Sequence, residues 1–128
     1  MNEIGVVFDT AALLAYTQGD LRIGELLVDL ADRGDRFVIP SLCLATAYRD
    51  APAGSADLLD LITARPQALV PSFDREHCAV AGGWARVLGL DTTHAAMEAA
   101  ASGVVPLMTD KRDLVTQFLA QEWPIIDV

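Results

Sequence analysis

The sequence predicts a three-layer α/β/α sandwich around a parallel sheet of about five strands. Three observations carry this. Short apolar runs are continuous rather than alternating, the pattern of strands covered on both faces. Stretches with helical spacing of apolar residues separate them. Gly, Pro, Asp and Ser stand at the joins. The 128 residues fit one domain, 1–128, with a core large enough to fold alone.

In chain order, Ile4-Gly5-Val6-Val7-Phe8 is the first strand and ends in Asp9. Ala11 to Gln18 is a short helix. Arg22 to Arg33 puts Ile23, Leu26, Leu27 and Leu30 on one face, and Gly34 stops it. Arg36 to Ile39 is the second strand, closed by Pro40. Ser41 caps a helix running to about Asp50. Ser55 opens another, to about Ala64 before Pro66. Ala68-Leu69-Val70 is the third strand. Asp74 to Leu88 is helical, with Gly82-Gly83 inside it, read as permitting close packing at a dimer interface. Asp91 or Thr92 caps a helix to Ser102, which Gly103 closes. Val104 to Met108 is the fourth strand, Lys111 to Glu122 the last helix, and Pro124 to Val128 the fifth strand. The order is β-α-α-β-α-α-β-α-α-β-α-β.

Hydrophobic residues make up 52% of the chain, which argues against disorder. No apolar run approaches the roughly 20 residues that cross a bilayer. Met1 to Gly5 carries an acid and no basic cluster, so it does not read as a secretory signal. Cys43 and Cys78 lack metal-ligand spacing and read as small buried hydrophobes in a reducing cytoplasm. The formal net charge of −9 argues against broad electrostatic binding of nucleic acid. It leaves two readings open. Carboxylates can hold Mg²⁺, which presents positive charge to phosphate, or they can dock a basic partner.

Ligands of an open parallel sheet gather outside the carboxyl ends of its strands. Asp9-Thr10 follows strand one, and Thr109-Asp110-Lys111 ends strand four. Asp91-Thr92-Thr93 opens the helix before strand four. Asp9, Asp91 and Asp110 therefore converge at one edge, and three neighbouring carboxylates need compensation, for which a divalent cation is the usual solution. Each also precedes a helix, where Asp is a favoured N-cap. Asp9 is the least comfortable cap, because it closes a wholly apolar strand.

Several segments resemble PIN domains, especially toxins of the VapC type. Gly5-Val6-Val7-Phe8-Asp9-Thr10 through Tyr16 is similar to their opening, where an aspartate ends strand one. Val38 through Arg49 resembles their second block, and Leu88 through Gly103 their third. Pro106-Leu107-Met108-Thr109-Asp110 resembles the fourth. The resemblance covers nearly the whole chain and the element order agrees.

The resemblance implies a Mg²⁺- or Mn²⁺-dependent endoribonuclease hydrolysing RNA phosphodiesters, held by an antitoxin protein and often dimeric. Asp9 matches the first acidic residue, with Thr10 as its supporting hydroxyl. A glutamate is implied where this chain has Thr46, with Asp50 one helical turn on. The third acid falls at Thr92, one residue after Asp91, or at Thr93 or His94. The fourth falls at Lys111, with Asp110 one residue early. Asp9, Asp91 and Asp110 are thus the expected catalytic and metal-holding set. Thr10, Thr46, Thr92 and Thr109 are the supporting hydroxyls. The alternative is a PIN-like domain without catalysis, binding protein or RNA. Lys111 either neutralises Asp9 or, as exposed lysines usually do, faces solvent. His94, near the predicted site, reads as a structural or surface histidine rather than one that moves protons or binds phosphate, and Trp84, Tyr16, Tyr48 and Phe118 read as core or interface.

Overall fold

The computed structural model describes residues 3–128. The strands are β1 (Ile4–Phe8), β2 (Arg36–Val38), β3 (Ala68–Leu69), β4 (Leu107–Thr109) and β5 (Ile125–Asp127). They form one five-stranded sheet in the order β3-β2-β1-β4-β5, every neighbouring pair parallel. The helices are α1 (Thr10–Thr17), α2 (Leu21–Arg33), α3 (Ser41–Asp50), α4 (Ala56–Thr63), α5 (Cys78–Ala101) and α6 (Arg112–Val115). A 3₁₀ turn, Arg75–His77, precedes α5.

β1 is central because its whole length is apolar. Val6, Val7 and Phe8 are buried, and the Phe8 ring lies 5.5 Å from that of Phe37 on β2. Each large side chain so buried contributes roughly 1.5–3 kcal/mol. Gly5 has no Cβ, and a Leu30 methyl from α2 occupies that space. The predicted α2 face is the buried one, at Ile23, Leu27 and Leu30. Asp20 caps it by accepting from Arg22 N at 2.9 Å, and Gly34 ends it at φ 71°.

The chain moves outward from β1 to β2 and β3, then crosses back to β4 and on to β5. Parallel crossovers are right-handed, so this reversal divides the helices between the two sheet faces. It also makes the β1/β4 boundary the topological switch point, where open α/β sheets place their ligands.

Several boundaries differ from expectation. Within α5 two helical segments meet at a kink at Gly89, whose φ of 77° and ψ of 161° leave the helical region, so the two helices expected on either side of it are present, the first starting at Cys78 rather than Asp74. β4 begins at Leu107, since Val104 is exposed and Pro106 has no amide to donate; its carbonyl accepts from Val7 N at 2.9 Å instead. α6 stops at Val115 and turns follow. Ser41 is the first residue of α3, not its cap; Pro40 holds the cap position. Cys43 is buried as expected, but Cys78 is exposed at the start of α5. A Cβ at Gly82 or Gly83 would meet nothing within 4 Å, so no close packing inside the chain needs them. Among the described residues no helix is long and apolar enough to cross a membrane.

Candidate functional site

β1 and β4 run side by side, with Phe8 opposite Met108. Their carboxyl ends therefore deliver Asp9 and Thr109 to the same place, and Asp9 N bonds Met108 O at 3.0 Å. Asp9 is 1% exposed. Its Oδ1 accepts from Thr10 N at 2.8 Å and faces Thr92 Oγ1 at 3.1 Å. Its Oδ2 accepts from Thr92 Oγ1 at 2.9 Å and Thr109 Oγ1 at 2.7 Å. The Cys43 thiol lies 3.6 Å from Oδ1. A carboxylate offers about four lone-pair positions, and three protein donors, Thr10 N, Thr92 Oγ1 and Thr109 Oγ1, point at those of Asp9. Burial pushes its pKa above the usual carboxylate value. The bonds from Thr109, Thr10 and Thr92 oppose that push, while the Asp91 charge adds to it.

A second ring surrounds the first. Thr10 Oγ1 donates to Asp91 Oδ2 at 2.6 Å. The Lys111 ammonium donates to Thr92 Oγ1 at 3.1 Å and to Leu88 O at 3.3 Å. The Lys111 amide donates to Thr109 Oγ1 at 3.1 Å. Both threonines that grip Oδ2 of Asp9 are therefore themselves gripped by Lys111. Lys111 neither faces open solvent nor pairs directly with Asp9. It is half-buried and acts on the carboxylate through Thr92.

Above lies a cleft of about 610 Å³, lined by Asp9, Asp50, Asp91 and Asp110 together with Arg49 and Lys111. The three aspartates expected to converge all reach it. Asp50 lines it beside Thr46, and the Arg49 guanidinium bonds both Asp50 oxygens, at 2.7 and 3.0 Å. Thr46 gives its proton to Leu42 O in its own helix at 2.8 Å, and Thr10 gives its own to Asp91.

No protein-family model matches the chain, and no curated protein matches it. A solved structure does: a chain of the VapBC2 complex from Rickettsia felis, bound to a DNA fragment from its promoter. It superposes over 97% of this chain and 98% of its own, with a TM-score of 0.69 at 13% identity. The fold is PIN-like. At that identity the likeness concerns architecture, and the chemistry has to come from this chain's residues.

The residues of this PIN-like cleft can be tested against a divalent ion. Among the described residues, the trio of ligand atoms gathered within 4.8 Å of one another is Asp74, Glu76 and His77, on the surface elsewhere. Asp9, Asp91 and Asp110 share a cleft but not that spacing. Thr92 contacts both oxygens of Asp9, and an ammonium is bonded to Thr92. The cluster is a buried carboxylate held by hydroxyl and amide donors, with the Lys111 ammonium one threonine away.

His94 is buried, the structural of its two expected readings. Its Nδ1 accepts from Leu42 N at 3.4 Å, and the Phe73 ring meets it edge-on at 4.9 Å. Trp84 packs on Phe118 at 5.2 Å, while Tyr48 is exposed and hydrogen-bonds Asp60. Sequence reading missed the Asp74–Glu76–His77 group. Its signal was two carboxylates and an imidazole within four residues, just before a helix.

Proposed function

We propose that this PIN-like domain is the VapC-like member of a toxin–antitoxin type of pair, and that it acts by binding. Its cleft receives a basic segment of an antitoxin-like protein. The observation that carries this is the chain Lys111–Thr92–Asp9, in which the protein's own cation is bonded to a threonine that holds the carboxylate the nuclease chemistry would need. The charge agrees. The chain carries −9 overall, and four aspartates face two basic groups in the cleft. Such a surface repels phosphate and attracts arginine and lysine. The VapBC2 fold supports the type of partner.

A second reading is the Mg²⁺- or Mn²⁺-dependent endoribonuclease. The meeting of Asp9, Asp50, Asp91 and Asp110 at the switch point favours it. Here Asp9, Asp91 and Asp110 would hold the ion, with hydroxyl support from Thr10, Thr46, Thr92 and Thr109. A bound ion would offset phosphate charge and make a water more acidic. A homodimer in the cytoplasm belongs to either reading. Val80 and Val87, exposed on one side of α5 around open Gly83, support such a contact.

Two assays separate the readings. Structured RNA incubated with millimolar Mg²⁺ or Mn²⁺ should be cut no faster by wild type than by Asp9→Asn. An arginine-rich peptide should bind wild type in a salt-sensitive manner and bind Asp50→Asn/Asp110→Asn more weakly. Metal-dependent cleavage that Asp9→Asn abolishes would establish the nuclease instead.

A further inference from the structure

Away from the cleft, the 3₁₀ turn before α5 brings together Asp74, Glu76 and His77, all exposed, with one ligand atom each inside 4.8 Å. Asp74 holds a cap position, yet its side chain makes no capping bond. Arg75, between the two acids, forms no ion pair with either among the described residues. Two uncompensated carboxylates thus stand beside an imidazole.

A separate observation lies behind them. Asp74 and His77 share a pocket of about 180 Å³ with Glu98 and His94 of α5. The His94 side chain is 2% exposed, and its Nε2 has no hydrogen-bond partner. Because Nδ1 accepts from Leu42 N, the neutral ring carries its proton on Nε2. That N–H lies 3.6 Å from Glu98 Oε1, too far to bond it well. A buried donor without an acceptor is rare, and this one shares a pocket with two of the surface trio, Asp74 and His77.

We propose that Asp74, Glu76 and His77 form a binding site for a divalent transition-metal ion of the zinc class, with Glu98 drawn toward it and oriented by His94. One imidazole and two or three carboxylates suit Zn²⁺, Co²⁺ or Mn²⁺, whereas Mg²⁺ avoids imidazole. The Nε2–H of His94 then gains its acceptor, either the Glu98 carboxylate or a water on the ion. The ion fastens the 3₁₀ turn to the second half of α5. With Asp74, Glu76 and His77 as the only ligands, a coordination position stays open to water or to a partner's donor; with Glu98 as the fourth it is closed.

Calorimetric titration of the full chain with Zn²⁺ tests this. One saturable site per chain is expected. His77→Gln should weaken it at least tenfold, and His94→Phe about tenfold to a hundredfold. Asp9→Asn and Cys78→Ser should bind as wild type does, which separates this site from the cleft and from thiol capture. On ¹⁵N-labelled protein the Nε2 resonance of His94 should move with Zn²⁺ and not with Mg²⁺. Absence of a saturable site, unchanged affinity in His77→Gln, or loss of binding in Cys78→Ser would each overturn the proposal.

Discussion

If Lys111 neutralises the cleft through Thr92, removing its charge and that of Asp9 must be coupled. The perturbation is a double-mutant cycle of Lys111→Met and Asp9→Asn. The two hydrogen bonds in series, 3.1 and 2.9 Å, bring the ammonium to within about 6 Å of the carboxylate. At an effective dielectric of about 20, unit charges at that separation attract by roughly 3 kcal/mol. Lys111 is only half-buried, so solvent screening reduces this to about 1–2 kcal/mol. Lys111→Met alone should destabilise by about 1–2 kcal/mol, because Thr92 and Leu88 O lose a charged donor. In the Asp9→Asn background the loss should be smaller by the coupling energy. Urea denaturation at neutral pH, followed by circular dichroism, reads all four corners. Coupling below about 0.3 kcal/mol would refute the reasoning, since distant, independent sites add to within that margin.

Asp9→Asn by itself should stabilise the fold by about 0.5–2 kcal/mol at neutral pH. Burial raises the folded pKa of Asp9 above its unfolded value, so its favourable contribution is complete below the unfolded pKa. It is lost as pH rises through the folded pKa; the advantage of Asn should therefore vanish in acid, which thermal melts across pH will show. Thr109→Val removes a donor to Asp9 and an acceptor for the Lys111 amide, and should lower stability by about 1–3 kcal/mol in the same melts. Gly89→Ala forces a Cβ onto φ 77° and within 3.2 Å of Asp91 Oδ1. It should destabilise by about 1–2 kcal/mol and shift the Thr10 and Asp91 resonances in NMR spectra.

Much of the fold was legible because its signals are local. The apolar run of β1 ending in Asp9, the Ile23–Leu27–Leu30 stripe and the stop at Gly34 each follow from side-chain spacing or backbone freedom. The cleft was legible in part, since topology alone sends Asp9, Asp91 and Asp110 toward one edge. What each of them touches was not. Asp91 bonds Thr10 and Lys111 reaches Thr92 through contacts between residues far apart in sequence. Gly89 marks a break in α5, but spacing could not show that Leu88 would turn its carbonyl to Lys111. His94 could be structural or surface until Ala95, Ala96 and Ala99 are seen to pack that half of α5 into the core. The short α6 was overextended because Leu114, Phe118 and Leu119 keep helical spacing while the backbone turns.

The most direct test compares Mn²⁺ titrations of wild type and Asp9→Asn by calorimetry at millimolar ion. The surface site at His77 contributes equally to both proteins, so the difference isolates the cleft. A carboxylate already satisfied by three threonines predicts superimposable isotherms. A binding event present in wild type and missing from Asp9→Asn would contradict the account.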